Sequence, residues 1–230
     1  MNTYTEVSAM QVYHLSINSP SWDEIDSQLL TYVSTERQGK ILRYVNISDR
    51  KLSLYAALIV RMGLSQMTGL PIAELFFSAK ANHKPMFLSA PNYDFSISHT
   101  HGFVLCCISS DGAVGADTEK LKDAPFEIMR QVFHPTEIQY VQYAPPSQKE
   151  LRFFEIWTRK EAYTKQMGTG LVLDLPSCNT LSPSLSPSLR TWIQDGYMCC
   201  ICGKNPPLCK IEKLSAEDIR RYFIDTIKDP

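Results

Sequence analysis

The stretch GAVGADTEKLKD, residues 112–123, decides how the chain divides. It follows the apolar run GFVLCCISS, and AVGADTEKL reads as a strand opening a second cycle of structure, with the seam near residues 108–114. Side chains at i and i+2 of a strand share a face, so Gly115, Asp117 and Glu119 point one way while Ala116 and Thr118 point the other. Two carboxylates therefore converge. Unpaired they would repel, and a hard divalent cation is the natural compensation, with all-oxygen ligands favouring Mg2+ or Mn2+ over zinc. The same pair also fits the solvated end of a surface strand, and the spacing alone leaves both readings open.

Toward the N-terminus, GFVLCCISS, YDFSISHT, KPMFLS and LFFSAK read as strands or extended pieces. Before them SDRKLSLYAALIVRMGLSQMTG is a long amphipathic helix that Ser48 or Asp49 caps and Gly69 stops. MQVYHLSI is a first strand, and SWDEIDSQLLTYVS a helix capped by Ser21. Toward the C-terminus, APFEIMRQVF and HPTEIQYVQY are helical pieces, with Pro125 and Pro135 suited to first turns. KELRFFEIWTRKEAYTKQMG is the strongest later helix, closed by Gly168. LSPSLSPSL, residues 181–189, reads as an extended surface loop, and GYMCCICG as a buried strand. Each half thus has one long helix beside short strands. The expectation is an α+β fold of two similar halves in tandem, residues 1–110 and 111–230, although no repeat is visible as sequence identity.

With 230 residues, 44% hydrophobic and 20% charged, the composition is that of a globular chain rather than a disordered one. A net charge of -1 gives no global field to gather nucleic acid or an anionic membrane, so any anion must be bound by local groups. The start, MNTYTEVSAMQVYHLSINSP, lacks the regions of a signal peptide, and no apolar run reaches the roughly 18 residues of a membrane span. A cytoplasmic protein is expected. The seven cysteines are odd in number and do not suggest a secreted disulfide framework. Cys199 and Cys202 have CxxC spacing, but with no second such pair they read better as small apolar side chains of a strand.

Three further stretches carry chemistry. In WTRKEAYTKQMGTGL, residues 157–171, Glu161 and Lys165 are four apart and share a helix face, with Lys160 adjacent. This is either an ordinary surface ion pair or the carboxylate and lysines that a metal-bound phosphate requires. FSISHTHG brings Ser98, His99 and His101 together as polar contacts, metal ligands or a phosphate holder. NHKP places Lys84 in a turn before Pro85, as a solvated lysine unless other groups point to an anion.

Taken in order, these pieces resemble the 4'-phosphopantetheinyl transferases of the larger, two-subdomain, surfactin-type family, which activates peptide and polyketide synthetases of secondary metabolism. The family's Lys-Pro turn appears as Lys84 and Pro85, its Ser-His pair as Ser98 and His99, and its Gly-x-Asp-x-Glu as Gly115, Asp117 and Glu119. Its Trp-x-x-Lys-Glu-x-x-x-Lys appears as Trp157, Lys160, Glu161 and Lys165, running on into Gly168 and Gly170. The joint match is far more specific than any part, and it spans about residues 40–175.

The resemblance implies two α+β halves with coenzyme A in the cleft between them, and a monomer. It implies a Mg2+ ion, or Mn2+ in its place, held by Asp117, Glu119 and Glu161. Glu161 and Lys165 would be catalytic. Lys84, Ser98, His99, Lys160, Lys165 and Arg61 would bind coenzyme A, with His99 at the 3'-phosphate; Arg50 and Lys51 are weaker matches to the family's basic segment. The implied reaction moves the phosphopantetheine arm to a serine of an acyl or peptidyl carrier protein, releasing adenosine 3',5'-bisphosphate. Two positions depart from the family pattern: Ser96 stands where many members have Asn, and Thr118 replaces an aliphatic residue. The alternatives are a Mg2+-dependent phosphohydrolase or nucleotidyl-transfer enzyme, and a non-catalytic coenzyme A or carrier-binding module.

Overall fold

The computed structural model describes residues 9–17, 19, 21–78, 84–168, 174–204, 206 and 209–226. Residues 79–83, ahead of Lys84, and Gly170 lie outside them.

The first half runs β1 (Met10–Ser16), α1 (Glu24–Leu29), α2 (Thr35–Leu42) and α3 (Ile47–Thr68). It continues through a short ribbon, β2 (Phe77–Ser78) with β3 (Met86–Phe87), to the hairpin β4 (Asp94–Thr100) and β5 (Phe103–Ser109). The second half runs β6 (Gly115–Lys120), α4 (Met129–Val132), α5 (Pro135–Gln142), α6 (Lys149–Met167), and the hairpin β7 (Leu189–Gln194) and β8 (Tyr197–Cys202). In the first sheet β5 lies between β4 and β1; in the second β8 lies between β7 and β6, and these pairings are all antiparallel. Both halves therefore share one plan: a strand, a long helix, then a hairpin whose second strand pairs with the first strand. Even the hairpin turns agree. His101 and Gly102 close one at φ 44° and 88°, and Asp195 and Gly196 close the other at 51° and 83°, the positive values that tight two-residue turns demand. His101 is thereby committed to a turn.

Each long helix presses on its sheet through one glycine. A Cβ on Gly63 of α3 would stand 2.5 Å from Ile108 on β5, and one on Gly115 of β6 would stand 1.7 Å from the Ala162 carbonyl of α6. The apolar face of α3, including Leu54, Tyr55, Leu58 and Ile59, forms the main core with Leu15, Cys106 and Ile108. Phe153, Phe154 and Ile156 of α6 bury against Phe133, Val141 and Met198. Between the sheets lies a third layer that includes Val12, Phe103, Leu105, Cys199 and Ile201. Cys199, Cys200 and Cys202 are buried there and beneath α6 as small apolar groups, and Thr118 meets Cys199 at 3.4 Å. The hydroxyl of Thr118 thus faces the interior.

Several local expectations need correction. Asp23 caps α1 through a reciprocal capping box with Asp26, in place of Ser21, and Asn46 caps α3, in place of Ser48 or Asp49. Gly69 and Gly168 do end their helices in the left-handed conformation, at φ 74° and 67°. The Ser/Pro stretch is a series of turns rather than an extended loop, because Leu181, Leu185 and Leu189 recur every four residues and pack inward. Residues 210–221, expected with the C-terminal half, return to the first. There β9 (Lys210–Leu214) pairs parallel with β1, and α7 (Ala216–Arg221) packs on α3.

Candidate active site

The seam between the halves is sewn by alternate side chains of β4. Asp94 accepts from the Val114 amide at 2.8 Å, Ser96 accepts from the Ala116 amide at 2.9 Å, and the Ser98 hydroxyl donates to Asp117 Oδ1 at 2.9 Å. Ser96, the departure from Asn, is one of these stitches. Ser98, expected at a phosphate, instead stands behind Asp117 and orients it. The intervening residues, Phe95 and Ile97 among them, face the opposite way and line pockets, and His99 follows on that face.

On β6, Asp117 is buried and Glu119 half-buried, and both face α6. Trp157, Glu161 and Lys165 recur at four-residue spacing, so they form one stripe along α6. Gly115 permits the close approach that puts this stripe over the β6 carboxylates. Lys165 Nζ pairs with Asp117 Oδ1 at 2.7 Å, and the Trp157 indole N–H donates to Glu119 Oε1 at 3.3 Å. Burial, and then the charge of Asp117, push both Glu119 and Glu161 above the usual carboxylate range; Trp157 opposes this at Glu119, and Lys165 at Glu161. Glu119 and Glu161 therefore both stand in the field of Asp117. Among the described residues no three such side chains stand in a ready-made metal group. Asp117 Oδ2 is nevertheless buried without a hydrogen-bond partner, and the surplus negative charge around it suits a hard cation.

Beside this cluster a cleft of about 220 Å³ is lined by Lys84, Pro85, Phe95, Ile97, Thr164 and Lys165. Lys84 pairs with Asp94 and donates to the Val114 carbonyl at 2.6 Å, so it is anchored to the seam at the rim. A second pocket, about 150 Å³, shares the Pro85, Phe95 and Ile97 wall and adds Arg37, Lys40 and Arg61. Arg61 lies over the Phe77 ring at 5.0 Å, and Arg37 is held by the Ser53 carbonyl and hydroxyl at 3.1 and 3.0 Å. Burial, then Arg37 and Lys165, hold His99 below its ordinary value. His99 thus stands within the field of both cations. Arg37 and Lys40 were missed from sequence. Their helix, TERQGKIL, mixes both charges and reads as a solvated face.

Lys160 does not belong to the site. It is 2% exposed and points away from the β6 carboxylates, toward α5. Its ammonium bonds Glu137 at 2.8 Å, the Leu175 carbonyl at 2.8 Å and the Cys178 carbonyl at 2.5 Å, which uses all three donors. Glu137, fully buried, is completed by the His134 amide and by the amide and hydroxyl of Thr180. Lys51 is likewise internal, paired with Asp26 at 2.8 Å, and Arg50 closes a loop on the Leu42 and Tyr44 carbonyls. Neither turns toward the cleft's phosphate-sized space.

The comparisons with known proteins agree with this geometry. Residues 113–211 match the 4'-phosphopantetheinyl transferase superfamily, and residues 19–111 match the N-terminal unit described as 4'-phosphopantetheinyl transferase, N-terminal. The chain is 33% identical to the 4'-phosphopantetheinyl transferase gsp of Aneurinibacillus migulanus, over 89% of this chain and 92% of that protein. It is 30% identical to ffp of Bacillus subtilis and 27% identical to Sfp of Bacillus subtilis strain 168, each over 86% of this chain and 93% of the relative. The chain belongs to the 4'-phosphopantetheinyl transferases, in the two-subdomain, surfactin-type branch. It is an enzyme of that class. Among the described residues no helix is long and apolar enough to cross a membrane.

Proposed function

We propose that this chain transfers the 4'-phosphopantetheine arm of coenzyme A to a serine hydroxyl of an acyl or peptidyl carrier protein, with adenosine 3',5'-bisphosphate as the other product. The observation that carries this reading is the meeting of the β6 carboxylates with Glu161 and Lys165 at the mouth of a cationic cleft. Asp117, Glu119 and Glu161 would hold Mg2+ or Mn2+, which when bound neutralises charge on the diphosphate of coenzyme A.

The residues of the chain do the rest. Arg37, Lys40, Arg61 and His99 receive the nucleotide's phosphates in the pocket of the first half, and Lys84 guards the rim between pocket and cleft. The serine oxygen attacks the pantetheine-side phosphorus, and the bond from that phosphorus to the bridging oxygen breaks. The electron pair leaves with adenosine 3',5'-bisphosphate, whose new charge Lys165 offsets. The serine proton passes to the Glu161 carboxylate, which acts as the general base.

Nucleotide release is the test. With coenzyme A, Mg2+ and an apo carrier, adenosine 3',5'-bisphosphate should form in step with loaded carrier, and none should form without carrier. Release without carrier would replace this reading with a phosphohydrolase.

A further inference from the structure

Trp157 belongs to the motif on α6 but has no part in the reaction as described. Its indole N–H makes the hydrogen bond that Glu119 receives among the described residues, at 3.3 Å from Oε1. The ring cannot swing freely. It stacks on Phe153 at 6.2 Å with an interplanar angle of 10°, and Phe153 is itself buried against Phe133 and Phe154. Trp157 also stands one turn before Glu161 on the same helix face, so a single rigid stripe supplies one carboxylate of the cluster and grips another. A carboxylate near the end of a strand has free rotation about its side chain unless something fixes it, and Glu119 is the more exposed of the two on β6.

Resting on the proposed function, we propose that Trp157 is a positioning residue that locks Glu119 in the orientation needed to bind the divalent cation. Loss of an outer partner of a ligating carboxylate lowers metal affinity about 10-fold or more.

The decisive variant is Trp157→Phe in the full chain, which keeps the ring stack and removes the N–H. Mn2+ binding in the presence of coenzyme A should weaken about tenfold, the Mg2+ concentration for half-maximal carrier loading should rise alike, and excess Mg2+ should restore the rate. The melting temperature without cation and the KM for coenzyme A at saturating Mg2+ should stay near wild type. Unchanged Mn2+ affinity would overturn the inference while leaving the transferase reading intact. So would a loss of activity that excess Mg2+ cannot rescue. Failure of the wild-type chain to bind Mn2+ at all would overturn both. In wild-type protein with labelled indole nitrogens, three tryptophan signals are expected. Addition of Mg2+ with coenzyme A should shift the Trp157 signal, and its indifference would also overturn the inference.

Discussion

Asp117 and Glu119 share a strand face, and the chain accepts their repulsion at a cost that should be measurable without any substrate. Burial and Asp117 raise Glu119, so the folded state holds its proton to higher pH than the unfolded state does. Stability from this group therefore falls as pH rises from the unfolded value through the raised folded value, and the deficit persists at neutral pH. Glu119→Gln keeps an acceptor for Trp157 and removes the charge. In a chelator at neutral pH it should melt on the order of 2 °C above wild type; the gain should vanish once the solution is acidic enough to protonate Glu119 in both states. A lower melting temperature at neutral pH would mean that Glu119 is not held under repulsion. The convergence of these carboxylates was legible from i, i+2 spacing alone. The roles of Ser98 and Arg37 were not, because a serine's partner lies across the seam and an arginine in a mixed helix shows no preference in sequence.

At the level of the element, α6 does two jobs with two different sides. One face carries Trp157, Glu161 and Lys165 over β6, and the other sends Lys160 to Glu137 on α5. The sequence placed Lys160 with Lys165 because the family motif joins them, yet residues 160 and 161 point about 100° apart on a helix. Periodicity thus held the answer that the motif obscured. Lys160→Met should destabilise the protein by roughly 3–5 kcal/mol, because it leaves Glu137 charged, buried and unpaired. The double variant Lys160→Met with Glu137→Gln should regain much of that loss in a denaturation experiment. Coenzyme A affinity in the double variant should match wild type, whereas a large loss of affinity with stability regained would return Lys160 to the binding site.

At the scale of the whole molecule, the two halves repeat one plan, and the C-terminal segment then ties the second back to the first. Leu214, Ile219 and Phe223 enter the core of the first half. Arg220 bonds the Tyr55 hydroxyl at 3.1 Å and Asp23 at 2.9 Å, beside the buried Lys51 and Asp26 pair. Truncation after Cys209 should therefore unfold the N-terminal half, seen as loss of protection from hydrogen exchange in α3, even though the residues removed follow the C-terminal half. Retained protection in α3 would show that the tie is dispensable. The long helices, the first-half hairpin and the seam were readable because periodicity and turn residues are local signals, whereas β7 went unread because its start lies in the Ser/Pro stretch. By contrast KIEKL is short, and its pairing with β1 joins residues some 200 positions apart, a contact no local pattern encodes.

On the proposed function, the β6 and α6 carboxylates direct a cation-dependent transfer onto a carrier protein. Intact-protein mass spectrometry of apo acyl and peptidyl carriers, incubated with the chain, coenzyme A and Mg2+, tests it most directly, with EDTA and Asp117→Asn as parallel arms. The expected result is a mass gain of one phosphopantetheine with Mg2+, none in EDTA, and a rate lower by on the order of 100-fold in the variant. An undiminished gain in EDTA or in Asp117→Asn would contradict the carboxylate site, and no gain on any carrier would contradict the transfer itself.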